Sequence, residues 1–138
     1  ATRMFVAGSL PSVWQERLED MIAVKEEVVD VLDQGLDCSQ AWRNGVALAE
    51  ELGHGDHLMG MVPDQSRFLG HSVGLQLDES PVVAEGFDRP LPIGGTMAIE
   101  PKVVHFDGSI GSEDTWVRDD EGMRPITADG AIPWINEW

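Results

Sequence analysis

At Phe68 the spacing of apolar residues changes, and that change decides what this chain can fold into. Upstream, Trp14, Leu18, Met21, Ile22, Val28, Val29 and Leu32 recur every three or four residues, which predicts a long amphipathic helix over about 12–32. Ser12 followed by Gln15 has the spacing of a capping box, and Gln34-Gly35 supplies the stop. A second cap at Asp37 to Ser39 and the stripe Trp42, Val46, Ala49, Leu52 predict a shorter helix closing at Gly53. Gly45 inside it weakens the helix by about 1 kcal/mol against alanine, which points to close packing on a neighbour. Trp14 and Trp42 read as aromatics packed between helices. The acidic residues of the first helix, Glu16, Glu19, Asp20, Glu26, Glu27 and Asp30, read as its solvated face.

Downstream of Phe68 the helical period is gone. Short strands are expected over 68–77, 96–105, 113–118 and 124–127, with turns at Asp107-Gly108 and Glu121-Gly122. The stretch from Pro81 to Pro92 is expected to be irregular, because Gly86, Pro90 and Pro92 oppose regular pairing. Residues 2–7 carry β-formers without an obvious partner nearby, and Ile132 to Trp138 is apolar enough to dock. Helices first and strands after predict an α+β fold, with helices covering one face of a mostly antiparallel sheet.

The 138 residues read as one domain. A net charge of −16, from 9 basic and 25 acidic side chains, would repel phosphate backbones and anionic membrane surfaces, so neither nucleic acid nor membrane is an expected partner. The single Cys38 excludes an internal disulfide framework and suits a reducing compartment, the cytoplasm by default. No apolar run is long enough to span a bilayer. The opening Ala1-Thr2-Arg3-Met4-Phe5-Val6 begins inside a strand-like pattern, as a cut chain would.

Chemistry concentrates in three places. His71 lies between Gly70 and Gly74 in an apolar run, where an imidazole either bonds a backbone carbonyl or ligates a metal. Glu100, in Met97-Ala98-Ile99-Glu100-Pro101, and Glu113, in Gly111-Ser112-Glu113-Asp114-Thr115, are carboxylates in strand-like apolar contexts. A buried carboxylate must be paired, protonated or bound to a cation. The structural alternatives are pairing of Glu100 with Lys102 and of Glu113 with Arg118 or Arg124, at a solvent edge where such bridges contribute little. His54 and His57, in a loop after a helix, read as surface residues, as does His105 on its strand.

Taken in register, Gly70-His71-x-x-Gly74-Leu75, Asp78-Glu79-x-Pro81, Ile99-Glu100-Pro101 and Glu113-Asp114-Thr115 resemble the C-terminal half of the pita-bread catalytic domain. That fold is shared by prolidase, Xaa-Pro aminopeptidase, methionine aminopeptidase and creatinase, and the likeness extends over nearly the whole chain. The resemblance implies two helices on a curved, mostly antiparallel sheet and a divalent-metal-dependent peptidase acting on short peptides of Xaa-Pro type. By resemblance His71, Glu100 and Glu113 are the metal-binding and catalytic residues: His71 and Glu100 share one ion, Glu113 bridges two, and Glu100 handles the proton of the attacking water. One imidazole with carboxylates suits Mn²⁺, Co²⁺, Zn²⁺ or Fe²⁺, and two ions about 3.5–4 Å apart can share a nucleophile.

Two departures qualify the likeness. The family pattern Asp-x-Thr-Arg-x-Phe meets Ala1 at its x position, so that metal-binding aspartate and its hairpin companion fall outside this sequence. The complete domain would hold two ions; this chain is expected to hold at most one, weakly, and to be inactive alone. Asp78 stands where many members carry a substrate-contacting histidine, and it accepts hydrogen bonds without donating as imidazolium does. A first strand without its hairpin partner would be an open edge, so a homodimer or larger assembly is expected. The reading from a different class is a non-catalytic pita-bread module that binds a peptide or protein. A metal-free hydrolase like creatinase is disfavoured by the presence of all three ligand types.

Overall fold

A computed structural model describes residues 1–127 and the backbone of the strand Ile135–Glu137. Its order is β1 (Met4–Val6), α1 (Ser12–Asp33), α2 (Cys38–Glu51), β2 (Gly70–Ser72), β3 (Glu79–Val83), β4 (Thr96–Ile99), β5 (Lys102–His105), β6 (Gly108–Gly111), β7 (Asp114–Asp119), β8 (Gly122–Pro125) and β9 (Ile135–Glu137). The main sheet is antiparallel with strand order β3-β2-β4-β7-β8, while β5 and β6 form a separate hairpin. No helix among the described residues is long and apolar enough to cross a membrane.

Both helices form where the apolar period places them, but neither is capped as expected. Pro11, not Ser12, is the N-cap of α1 and makes no side-chain bond; its carbonyl accepts from the Trp14 and Gln15 amides, and the Gln15 side chain turns to Glu19. At α2 the first amides, of Cys38 and Ser39, donate to the carbonyls of Arg89 and Phe87. Tertiary contact replaces the Asp37 side chain in satisfying those donors. Gly35 and Gly53 follow the helix ends at φ 73° and 86°, as the stop signals imply.

The core lies between α1, α2 and the inner face of the sheet. Leu18, Met21, Val24, Val28 and Leu32 of α1 meet Leu69, Val83, Met97, Ile99 and Val103 there. Each such side chain contributes roughly 1.5–3 kcal/mol by leaving water. Gly45 lets α2 approach: a Cβ there would stand 2.6 Å from Leu69 and 2.9 Å from Val28.

The strand boundaries differ from expectation in three ways. The expected 68–77 strand is only Gly70–Ser72, because the pairing with β3 shifts register between His71 and Ser72 and the chain then leaves as a loop. Glu79–Val83 is a strand although Pro81 lies in it; β3 is the sheet's outermost member, where a missing amide is tolerated. The expected 96–105 strand divides at Glu100-Pro101 into β4 and β5. The edge expected to be open at β1 is paired in parallel with β9. Ile132, Pro133, Trp134 and Trp138 of the docking segment lie outside the described residues.

One charged residue occupies the apolar stripe of α1. Lys25 is 2% exposed, in phase with Leu18, Met21, Val28 and Leu32, and its Nζ donates to Asp114 Oδ2 at 2.8 Å and to Ser112 Oγ at 3.0 Å. Asp114, at the start of β7 and 0% exposed, also accepts from Arg3 Nη2 at 2.7 Å and Thr127 Oγ1 at 3.1 Å. Burial by itself would raise the Asp114 carboxyl, but the hydrogen bonds and charges of Lys25 and Arg3 outweigh it and hold the group below the ordinary carboxylate range.

Asp114→Asn is therefore expected to cost about 3–5 kcal/mol in urea unfolding, since it leaves buried cations without their counter-charge. Because the folded carboxyl binds protons less readily than the unfolded one, wild-type stability should fall as pH drops below about 4, and the variant should lack that part of the slope. Gly70→Ala is a second check. Its Cβ would meet the Ala98 carbonyl oxygen, a backbone atom, at 2.5 Å, so a loss of about 1–3 kcal/mol is expected. Gly45→Ala, which crowds the buried Leu69 and Val28 side chains but regains about 1 kcal/mol of helix propensity, should cost less.

Candidate active site

The sheet's alternation brings three of the four sequence-derived residues to one face. His71 is opposite Ala98, and Ala98 is opposite Thr115. Counting by two along β4 and β7 from those positions reaches Glu100 and Glu113. The next pair in register, Ile99 opposite Asp114, faces the helices instead. Glu113 and Asp114 are thus neighbours in sequence that serve opposite sides of the sheet, one towards the cleft and one towards Lys25.

His71 is buried and oriented. Its Nδ1 lies 3.1 Å from the Ser72 carbonyl oxygen, and an N–H donated there leaves Nε2 as the outward-facing atom. Nε2 lies 3.1 Å from Asp78 Oδ1 and 3.3 Å from Glu100 Oε1. Two carboxylates thus converge on one ring nitrogen, an arrangement that a proton or a cation between them would stabilise. The edge of Phe68 packs against the ring from one side, with centroids 6.3 Å apart.

Glu100 is half-buried, and its amide donates to Leu69 O at 2.9 Å, which fixes the turn from β4 into Pro101. Burial raises its carboxyl above the ordinary value; Lys102 and His71 oppose the rise, and Glu113 and Asp78 add to it. Glu100 and Glu113 line a cleft of about 260 Å³ together with Thr2, Met4, Lys102 and Ser112. Glu113 Oε2 accepts from Thr2 Oγ1 at 2.7 Å, and its backbone bridges to Thr2 as well. The surface pairings weighed for the glutamates are not the ones made. Glu113 bonds Thr2, Arg118 bonds the Leu91 carbonyl, Arg124 bonds Asp119, and no ion pair joins Glu100 to Lys102 among the described residues.

Asp78 differs from the other three. It is on the exposed loop between β2 and β3, with its side chain 71% exposed.

For a divalent ion the donor chemistry is suitable: an imidazole nitrogen freed by its backbone bond, and hard carboxylates whose mutual repulsion a cation would relieve. The arrangement is nevertheless incomplete. Among the described residues no three His, Cys, Asp or Glu side chains are disposed to hold one ion. Sequence reasoning missed the support beneath this site, namely Thr2 on Glu113 and the Arg3–Asp114–Lys25 group behind it. The signal for the latter was present in the lysine that interrupts an apolar helical stripe.

Known proteins resemble this chain in overall sequence and fold. A family model, Metallopeptidase family M24, matches residues 1–120. The chain is 25% identical over 127 residues to the Xaa-Pro dipeptidase of Pyrococcus furiosus, covering 91% of this chain and 34% of that protein. Its fold matches the X-Pro aminopeptidase of Thermotoga maritima MSB8 with a TM-score of 0.85 at 20% identity, over 99% of this chain and 36% of the other. It also matches the N-terminal domain of the FACT complex subunit SPT16 from Cicer arietinum, with a TM-score of 0.73 at 16% identity, over 92% of this chain and 31% of the other. The chain therefore spans about a third of the length of the curated relative and has the pita-bread fold expected from its motifs. On the match to residues 1–120, the chain belongs to metallopeptidase family M24, a family of metal-dependent peptidases.

Proposed function

We propose that this chain is part of the catalytic domain of a peptidase that hydrolyses Xaa-Pro bonds at the N-terminal end of short peptides. The observation that carries the reading is the approach of His71 Nε2 to Glu100 Oε1, 3.3 Å, on the same sheet face as Glu113. In the proposal these three residues hold the divalent ions, of the Mn²⁺, Co²⁺, Zn²⁺ or Fe²⁺ class. The remaining carboxylates come from the two family aspartates that this sequence does not contain. A bound ion would polarise the scissile carbonyl and acidify a water. Glu100, whose carboxyl burial already raises, would take the water's proton. Asp78, at the mouth of the site, would meet the substrate and favour a cationic group such as the peptide's α-ammonium.

A reducing compartment such as the cytoplasm accords with Cys38, which is fully buried and whose thiol burial pushes up to about 11, far from the reactive thiolate range. The second reading, a module of this fold that binds a peptide or protein without cleaving it, is favoured by the likeness to a subunit of a multiprotein complex and by the incomplete donor set. Self-association belongs to the proposal as well, although β9 removes the open-edge argument for it on one side of β1. A mass that stays monomeric by light scattering over a tenfold dilution would refute it.

Calorimetry with Mn²⁺ should find at most one weakly held ion per chain, lost in His71→Ala and in Glu100→Gln, and no cleavage of an Xaa-Pro dipeptide. The same chain extended upstream by a hairpin carrying aspartates at the two family positions should bind about two ions and cleave. An extended protein that binds no metal and cleaves nothing would transfer the case to the binding-module reading.

A further inference from the structure

The hairpin β5–β6 has its two feet at Pro101 and Ser112, each next to one of the two cleft glutamates. What seats its outer edge is a group of histidines that the candidate site does not use. The segment 57–59 is added to β5 as a short extra strand. The Val104 amide donates to the His57 carbonyl at 2.9 Å, the Met59 amide donates to the Lys102 carbonyl at 2.8 Å, and Leu58 bridges Val103. Met59 is held there at φ 58°, a left-handed conformation that a non-glycine residue keeps only under constraint. The His57 ring lies flat on that of His105, with centroids 3.9 Å apart and planes 19° apart, and its Nδ1 is 2.9 Å from the Val104 carbonyl oxygen. Trp14 of α1 meets His105 edge-on at 5.9 Å.

The rings of His57 and His105 are partly exposed, near the surface position that the sequence suggests, whereas His54 is not. His54 is buried and its Nε2 is 2.7 Å from Asp20 Oδ2 of α1; His105 Nε2 is buried with no hydrogen-bond partner. The charged groups around the stacked pair are Arg17, whose Cζ lies 4.4 Å from the Trp14 ring, Asp20 through its bond to His54, His54 itself, Asp107 in the hairpin turn, and Glu50 and Asp56, which line a cleft with His57. The balance opposes a charge on His105: burial, Arg17 and His57 act against it, and Asp107 favours it. An imidazolium at that position would point an N–H at no acceptor and would stack on a second ring that also titrates.

We propose that the His57–His105 stack is a proton-operated latch: protonating the pair releases segment 57–59 from β5 and loosens the outer edge of the hairpin whose feet adjoin Glu100 and Glu113. The direction follows from linkage. A histidine less basic in the folded chain than in the unfolded one makes the fold, or the local closed state, less stable as pH falls below about 6.5.

The test is native-state amide exchange of this chain, followed by NMR at pH 7.5, 6.5 and 5.5 and corrected for intrinsic rates. Protection of the Met59 and Val104 amides should fall about tenfold or more towards pH 5.5, while that of the β4 amide of Ala98 stays constant. His105→Phe keeps an aromatic ring in the stack but cannot take the proton, and should flatten the pH dependence at Met59 and Val104. Equal protection at all three pH values, or the same loss in His105→Phe, would overturn the latch. Should that variant not fold, ring-proton titration of the wild type decides. The His105 ring is expected to titrate below the ordinary imidazole value, and its titration at or above about 6.5 would overturn the proposal.

Discussion

Asp114 is the fixed point of this structure. A fully buried carboxylate is tolerable only when its hydrogen-bonding capacity is filled and its charge is met, and here Lys25, Arg3 and Thr127 do both. Each of those partners belongs to a different part of the chain. Through one side chain the N-terminal segment, the long helix and the segment after β8 are pinned to the start of β7. Glu113 is the preceding residue, so the placement of the cleft carboxylate is inherited from the burial of its neighbour.

This explains why a site of so few residues can be well placed on short strands. The sheet strands that carry it, β2, β4 and β7, are three to six residues long, and strands that short contribute little rigidity by themselves. Rigidity comes instead from the tight passage of Gly70 against the Ala98 carbonyl and from the Glu100 amide bonded to Leu69 O. The exposed Asp78 loop shares none of these restraints. The interior donors and the mouth residue therefore differ in exposure as well as in chemistry.

Much of this was legible in the sequence. The change of period at Phe68 revealed the order of helices and strands, and the motifs around His71, Glu100 and Glu113 marked residues that the sheet does bring to one face. Other features were hidden for identifiable reasons. Pro81 argued against a strand because a proline breaks a central ladder, and only the strand order shows that β3 is at the edge. The cap residues at Ser12 and Asp37 had the right identity, yet the orphan amides found carbonyls from elsewhere in the chain. Lys25 could have been noticed as a charge in an apolar stripe, but its partner lies 89 positions away in sequence, beyond any local pattern. His54 looked superficial because nothing in its neighbourhood announces that the loop after α2 meets α1 there.

The connection between Glu100 and Glu113 has a further meaning for how this chain can vary. Because β4 and β7 are antiparallel neighbours with Ile99 opposite Asp114, which face each acidic residue occupies is a matter of parity. Residues added at the hairpin's tip, near Phe106 and Asp107, would lengthen a protrusion and leave both feet in place. A single residue added between Glu113 and Asp114, with the downstream pairing kept, would break the alternation at the foot of β7. The cleft carboxylate would then point towards the helix, or the buried one would lose its cations. Length change at that foot is thus confined to steps that preserve odd and even, whereas the tip is free to drift.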